Sequence, residues 1–259
     1  MSKPDIEPFT LYADDGIRID AALYERSKPP PAAVVLAHGF SGTWRSLRTR
    51  HIARTFHREA TVLAFDFRGH GRSGGVSTVG HHEILDVHAA VTFLRQRGYR
   101  RIAVVGFSMG AAVALRYAGI YGTINAVASV SGPAHWYYKG TSRMRMLHHA
   151  VELPLGRMFS RLALRTRISN GGWQETPKTP IEVAPTITPT PVLVMHGDHD
   201  AYFPLRHAYA IADAAVEPKT LWVVRGMGHA ESGMTPQLAE ELRAWVMSSL
   251  EHTDVGPVA

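Results

Sequence analysis

The chain has 259 residues, 45% of them hydrophobic and 19% charged, which is enough apolar material for one large α/β core and excludes a disordered protein. It contains no cysteine, so disulfide frameworks, zinc–thiolate sites and thiol nucleophiles are excluded. Of the formal charge of +6, five units fall between Ala134 and Thr188, where eight basic side chains meet three acidic ones, so the excess belongs to one segment. The N-terminus, MSKPDIEPF, lacks a basic stretch followed by an apolar one, and the expectation is a cytoplasmic protein.

In chain order, two alternating stretches, Phe9–Tyr12 and Ile17–Tyr24, flank Asp14-Asp15-Gly16 and predict a hairpin. A short proline loop, Pro29-Pro30-Pro31, follows. The pattern then changes to continuous apolar runs at Ala33–Ala37, Thr61–Phe65, Ile102–Gly106, Ala126–Ser131, Val192–Met195 and Leu221–Val224. Runs of this kind fit strands covered on both faces, as in a parallel sheet. Helices are predicted at Ile84–Arg97, with Ile84, Val87, Val91 and Leu94 on one face, at Met109–Tyr121, and at Pro236–Leu250 with Thr235 as cap. About sixty residues between the strands ending near Ser131 and beginning at Val192 carry a helical but no strand signal, far more than a βα loop needs. They predict a helical cap at residues 134–188 inserted into a core made of 1–133 and 189–259.

Gly106-Phe107-Ser108-Met109-Gly110 lies directly between an apolar run and an Ala-rich helix. This is the G-x-S-x-G elbow in its required context, where a tight strand–helix turn lifts the serine oxygen out of the sheet. His196-Gly197-Asp198-His199-Asp200 follows the next-to-last strand, and Gly226-Met227-Gly228-His229 the last. Both loops therefore sit at strand C-termini, where open α/β sheets bind ligands.

On these motifs, from the first hairpin to the last helix, the chain resembles the α/β-hydrolase superfamily, whose triad runs Ser, Asp or Glu, His along the chain. The resemblance implies a mostly parallel eight-stranded sheet covered by helices on both faces, with the cap after the sixth strand. It implies Ser108 as nucleophile, His229 as base and Asp200 as its orienting acid. Asp200 is preferred to Asp198 because Gly197 and Pro204 are in register with the superfamily's G-x-x-D-x-x-x-P pattern. His38-Gly39-Phe40 resembles the oxyanion loop, which assigns the two backbone donors to Phe40 and Met109. Asp66 and Arg68 are expected to tie neighbouring loops, and His70, His81 and His82 to be surface or loop histidines. No motif for a metal, an organic cofactor or nucleic acid accompanies these residues. A serine at position 108, where dehalogenases and epoxide hydrolases of this fold carry Asp, disfavours those chemistries.

The expected activity is hydrolysis of a carboxylic ester through an acyl-serine. A thioesterase, an aminoacyl amidase or peptidase, and a non-catalytic scaffold with the same fold are the alternatives. Trp136, Tyr137, Phe159 and Leu162 are candidate substrate contacts. From Leu155 to Ile168 the cap reads as an amphipathic helix with Leu155, Met158, Phe159, Leu162 and Ile168 expected to roof the pocket. Arg157, Arg161 and Arg165 are expected to face water, with an anionic substrate or membrane surface as the sharper alternative.

Overall fold

The computed structural model describes residues 6–25 and 31–252. The extreme N-terminus and Pro29 and Pro30 of the proline loop lie outside these described residues. One eight-stranded sheet organises the chain, in the order β1-β2-β4-β3-β5-β6-β7-β8. Strands β1 (Ile6–Tyr12) and β2 (Arg18–Tyr24) form the expected hairpin. Its turn is closed by Gly16 at φ 78°, and β2 runs antiparallel to β4 (Thr61–Phe65). The others, β3 (Ala32–Ala37), β5 (Arg101–Phe107), β6 (Ala126–Val130), β7 (Val192–Gly197) and β8 (Lys219–Val224), are parallel.

Five of the six continuous apolar runs have the cause inferred for them; the sixth, Leu221–Val224, belongs to the edge strand β8 and leaves Leu221 and Val223 exposed, because no further strand covers that edge. Alternate residues of one strand enter two separate cores: Ala33, Val35 and Ala37 join one, Val34 and Leu36 the other. The first core is closed by α2 (Glu83–Gln96), α3 (Met109–Tyr121) and α7 (Arg206–Ala214). The second is closed by α1 (Leu47–Phe56) and α9 (Pro236–His252), the latter capped by Thr235, whose Oγ1 accepts the Leu238 N–H at 3.2 Å. Helices α1 and α7 were not foreseen. Helix α1 buries only Ile52, Ala53 and Phe56 among its apolar residues and exposes Leu47, so its apolar period is short.

Between β6 and β7 stand α4 (Ser142–Glu152) and α5 (Pro154–Ala163), then a mostly irregular stretch, then the short α6 (Pro180–Val183) and a 3-10 turn. Thr166 and Ile168 form isolated bridges with His70 and Ser77, which tie that stretch to loops of the sheet edge.

Buried polar groups fix those loops. Asp66 accepts the Trp44 N–H (2.8 Å), the Thr43 hydroxyl (2.7 Å) and the Arg72 N–H (3.0 Å). Arg68 is clamped by Asp86 at 2.8 Å and Asp15 at 2.6 Å, as the loop-tying expectation required. His70 is a loop histidine, as expected, but not a surface one: it is fully buried, edge-on to both His38 and Phe40, with Nδ1 against the Arg68 carbonyl at 3.0 Å. Its placement follows from the loop folding back under β3, which no local pattern encodes.

Burial pushes His38 and His70 down to about 4, and His207 likewise, so all three are neutral inside the fold. An unfolded histidine keeps its ordinary value near 6.5. At these histidines the unfolded chain therefore binds more protons between about pH 6.5 and about 4, and their contribution to stability is present above that window and lost as pH falls through it. For His38 alone the displacement corresponds to about 3 kcal/mol. Urea unfolding of wild type and His38→Asn measured across that range should therefore diverge, the variant losing less stability toward acid by about one proton in the slope.

Candidate active site

Everything at the candidate site hangs from the C-terminal edge of β3, β5, β7 and β8. Ser108 occupies the turn between β5 and α3 with φ 52° and ψ −114°, a strained conformation for a residue with a side chain. The flanking glycines are required by contact. A Cβ on Gly106 would stand 2.2 Å from the Gly110 carbonyl oxygen, and one on Gly110 would stand 2.2 Å from that of Ala37. The turn is also held by the Ser108 N–H, which donates to the Val130 carbonyl at 2.9 Å.

Three side chains from three loops meet there. His229 Nε2 lies 2.8 Å from Ser108 Oγ, and His229 Nδ1 lies 2.8 Å from Asp200 Oδ2. Asp200 is fully buried at its side chain, and its Oδ1 accepts the N–H groups of Tyr202 (2.8 Å) and Phe203 (3.0 Å). Burial alone would raise the Asp200 carboxyl. The His229 hydrogen bond and charge, with the Phe203 and Tyr202 N–H groups, outweigh it and hold the carboxyl below its ordinary value. With Asp200 ionised, Nδ1 of His229 carries the proton and Nε2 is the acceptor facing Ser108. Asp198, the rejected neighbour, turns away and accepts the Gly226 N–H at 2.6 Å.

The loop His38-Gly39-Phe40 faces the N-terminus of α3. His38 is held from both sides: Nε2 accepts the Phe67 N–H at 3.0 Å, which leaves the proton on Nδ1 to donate to the Gly39 carbonyl at 2.7 Å. Its part is thus structural. Among the described residues no protein acceptor takes the N–H of Phe40 or of Met109. Both residues line the same pocket as Ser108. Sequence reasoning missed Glu231, whose Oε1 accepts the Gly39 N–H at 2.8 Å and so links the His229 loop to the Phe40 loop. Burial raises the Glu231 carboxyl against that hydrogen bond. Its position two residues after His229 was the available signal. A second missed link is Ser131, whose Oγ accepts the Ala230 N–H at 3.0 Å.

Above Ser108 opens a cavity of about 340 Å³ with mainly apolar walls. Trp136 and Tyr137 line it, together with Trp173, which had not been singled out. The indole N–H groups of Trp136 and Trp173 are spent on the carbonyls of Pro177 (2.7 Å) and Thr78 (2.6 Å), so both rings offer hydrocarbon to the cavity. Leu147, Val151 and Ile168 extend the wall, and His148, Glu152 and Arg157 make its polar end. Phe159 and Leu162 are not part of it. Helix α5 docks by its small face, where Gly156 crosses α4 so closely that a Cβ would stand 2.2 Å from the His149 carbonyl oxygen, and Ser160 is buried. The stripe Leu155, Met158, Phe159 and Leu162 is exposed and Arg157 lines the cavity, the reverse of the expected orientation for both, whereas Ile168 lies beyond the end of α5 at Ala163 and does line the cavity.

Comparison with known proteins agrees with this architecture. A sequence model of the alpha/beta hydrolase family matches residues 34–244. The chain is 27% identical over 212 residues to the uncharacterized protein YqkD of Bacillus subtilis strain 168, covering 78% of this chain and 66% of that one. It is 25% identical over 270 residues to a monoacylglycerol lipase of Mycolicibacterium smegmatis, covering 91% and 95%. Among solved structures it resembles the Pyrococcus furiosus esterase Pf2001, at a TM-score of 0.73 and 24% identity, with 96% of this chain and 92% of that one covered. Est1E of Butyrivibrio proteoclasticus, solved with ferulic acid bound, is similar at a TM-score of 0.65 and 19% identity, over 95% of this chain and 100% of that one. With the elbow, the sheet order and a matching family model spanning most of its length, the chain belongs to the alpha/beta hydrolase family.

Proposed function

We propose that the protein is a serine hydrolase that cleaves carboxylic esters carrying an apolar or aromatic group of moderate size. The observation that carries this reading is the hydrogen-bonded chain from Ser108 through His229 to buried Asp200, at the floor of an apolar cavity. In the proposed reaction His229 Nε2 takes the Ser108 proton as Oγ attacks the carbonyl carbon. Asp200 holds the ring in that tautomer and stabilises the imidazolium. The N–H groups of Phe40 and Met109 receive the oxyanion, the alcohol leaves with the proton from His229, and water then releases the acid from Ser108.

The cavity suits the bond to be broken. Its volume holds a small acyl or aryl group, and indole faces with no free donors favour hydrocarbon over a charged chain. The esterase and lipase names among the relatives point the same way.

A fluorophosphonate probe should label one residue, Ser108, and Ser108→Ala should abolish both labelling and ester turnover. Labelling elsewhere, with turnover retained in the variant, would overturn the reading. Asp200→Asn should lower kcat by up to about 10⁴-fold, the scale for loss of the orienting carboxylate in such triads, with the fold intact. Asp198→Asn should change it only a few-fold, since its partner is the Gly226 N–H.

Glu231 gives a further test. Glu231→Ala frees the Gly39 N–H and should lower kcat by roughly 10–100-fold with little change in KM, because an oxyanion donor acts on the transition state. Glu231→Gln keeps an acceptor oxygen and should recover most of that loss. Equal activity of wild type and both variants would remove Glu231 from the site.

A further inference from the structure

The outward face of α5 carries an exposed apolar stripe that the candidate site does not use. Leu155, Met158, Phe159 and Leu162 fall within about 100° of the helix circumference. Leu155 and Leu162 are 75% and 74% exposed, and Met158 and Phe159 more than half. The helix is thus docked on the body by Gly156 and Ser160 and turns its hydrocarbon toward solvent. Contiguous exposure of this kind marks a surface that is covered in use.

The charges around the stripe say by what. Arg161 on α5, Arg165 just beyond it, and Arg143 and Arg145 on the adjoining α4 are all exposed. Among the described residues no carboxylate lies within ion-pairing distance of any of the four. An apolar stripe on a helix pair that carries four exposed arginines without ion pairs is complementary to an apolar phase with an anionic boundary. A second copy of this chain would bring the same arginines to face their equivalents, so like charges would meet across the interface. A stable protein partner would engage roughly 20–30 residues a side, whereas one ten-residue helix of about 15 Å offers four. A bilayer asks for no shaped complement and takes up the apolar face of a helix lying in its interface.

The geometry points to α5 as an interfacial helix that docks the protein on anionic lipid surfaces, with Leu155, Met158, Phe159 and Leu162 in the headgroup–acyl boundary and the arginines on lipid phosphates. Leu147, Val151 and Arg157 of the same α4–α5 pair line the Ser108 cavity, so docking sets that cavity one helix layer from the lipid. Docking does not depend on the hydrolase reading and is measured without any substrate.

The full chain should co-sediment with vesicles of phosphatidylcholine mixed with phosphatidylglycerol, and at least tenfold more weakly with phosphatidylcholine alone. The variant L155S/M158S/F159S/L162S should lose at least tenfold of the binding while keeping its circular dichroism spectrum and Tm, since all four side chains already face water. Arg161→Gln with Arg165→Gln should reduce the preference for the anionic vesicles. Binding unchanged in the four-serine variant would mean that charge alone adsorbs the protein, and the inference would fall. It would fall equally if wild type ignored both vesicles, or if sedimentation showed a dimer that the four-serine variant abolishes.

Discussion

The site depends on how closely the start of α3 is pressed into the sheet. The carbonyl groups of Ala37 and Gly110 lie where side chains would otherwise stand, and only glycine at 106 and 110 admits the approach. That approach forces Ser108 into its left-handed backbone conformation and puts its oxygen above the strand ends. It also brings the first N–H of α3 beside the Phe40 loop of β3. Position, strain and the facing donors follow from a single steric constraint rather than from separate adjustments.

Around that fixed point, buried carboxylates act as templates for loop backbone. Asp66 gathers the N–H groups of Trp44 and Arg72, Glu83 those of Thr78 and Gly80, and Glu231 that of Gly39. A carboxylate offers several lone-pair sites, so Asp66 and Glu83 each satisfy two or more loop donors that helix and sheet leave unpaired. The loop from Ser77 to Val79 that lines the cavity is shaped in this way from the start of α2, without a regular element of its own. The loops carrying His229 and Phe40 are joined through Glu231, so displacement of one disturbs the other.

The parts legible in the sequence were those where one residue type answers one local demand. Strands buried on both faces read as unbroken apolar runs, the elbow needs its two glycines, and the Asp200 loop places Gly197 where a Cβ would stand 2.0 Å from the Met227 carbonyl oxygen. What escaped was set by tertiary position. His70 looks like any loop histidine until the chain folds it beneath His38. Helix α1 carries too few apolar residues to show a period. Helix α5 shows its period plainly, but the period reports only that one face is apolar, not which face is docked. The backbone contact at Gly156 decided that, and Trp173, far along the chain from Trp136, reached the cavity by the same long-range route.

The uneven charge has a consequence for handling the molecule. Five of its six net positive charges sit on the segment that lies over the cavity, and the remainder of the chain is close to neutral. Such a molecule carries a dipole directed through the segment that bears α4 and α5. A polyanionic support such as silica or a cation-exchange resin is therefore expected to favour one orientation, with α4 and α5 toward the support, within the reach of the Debye length. An immobilised preparation made in that way would have its cavity turned toward the support and shielded, whereas attachment through the C-terminal helix α9, on the opposite core, would leave it facing the solvent.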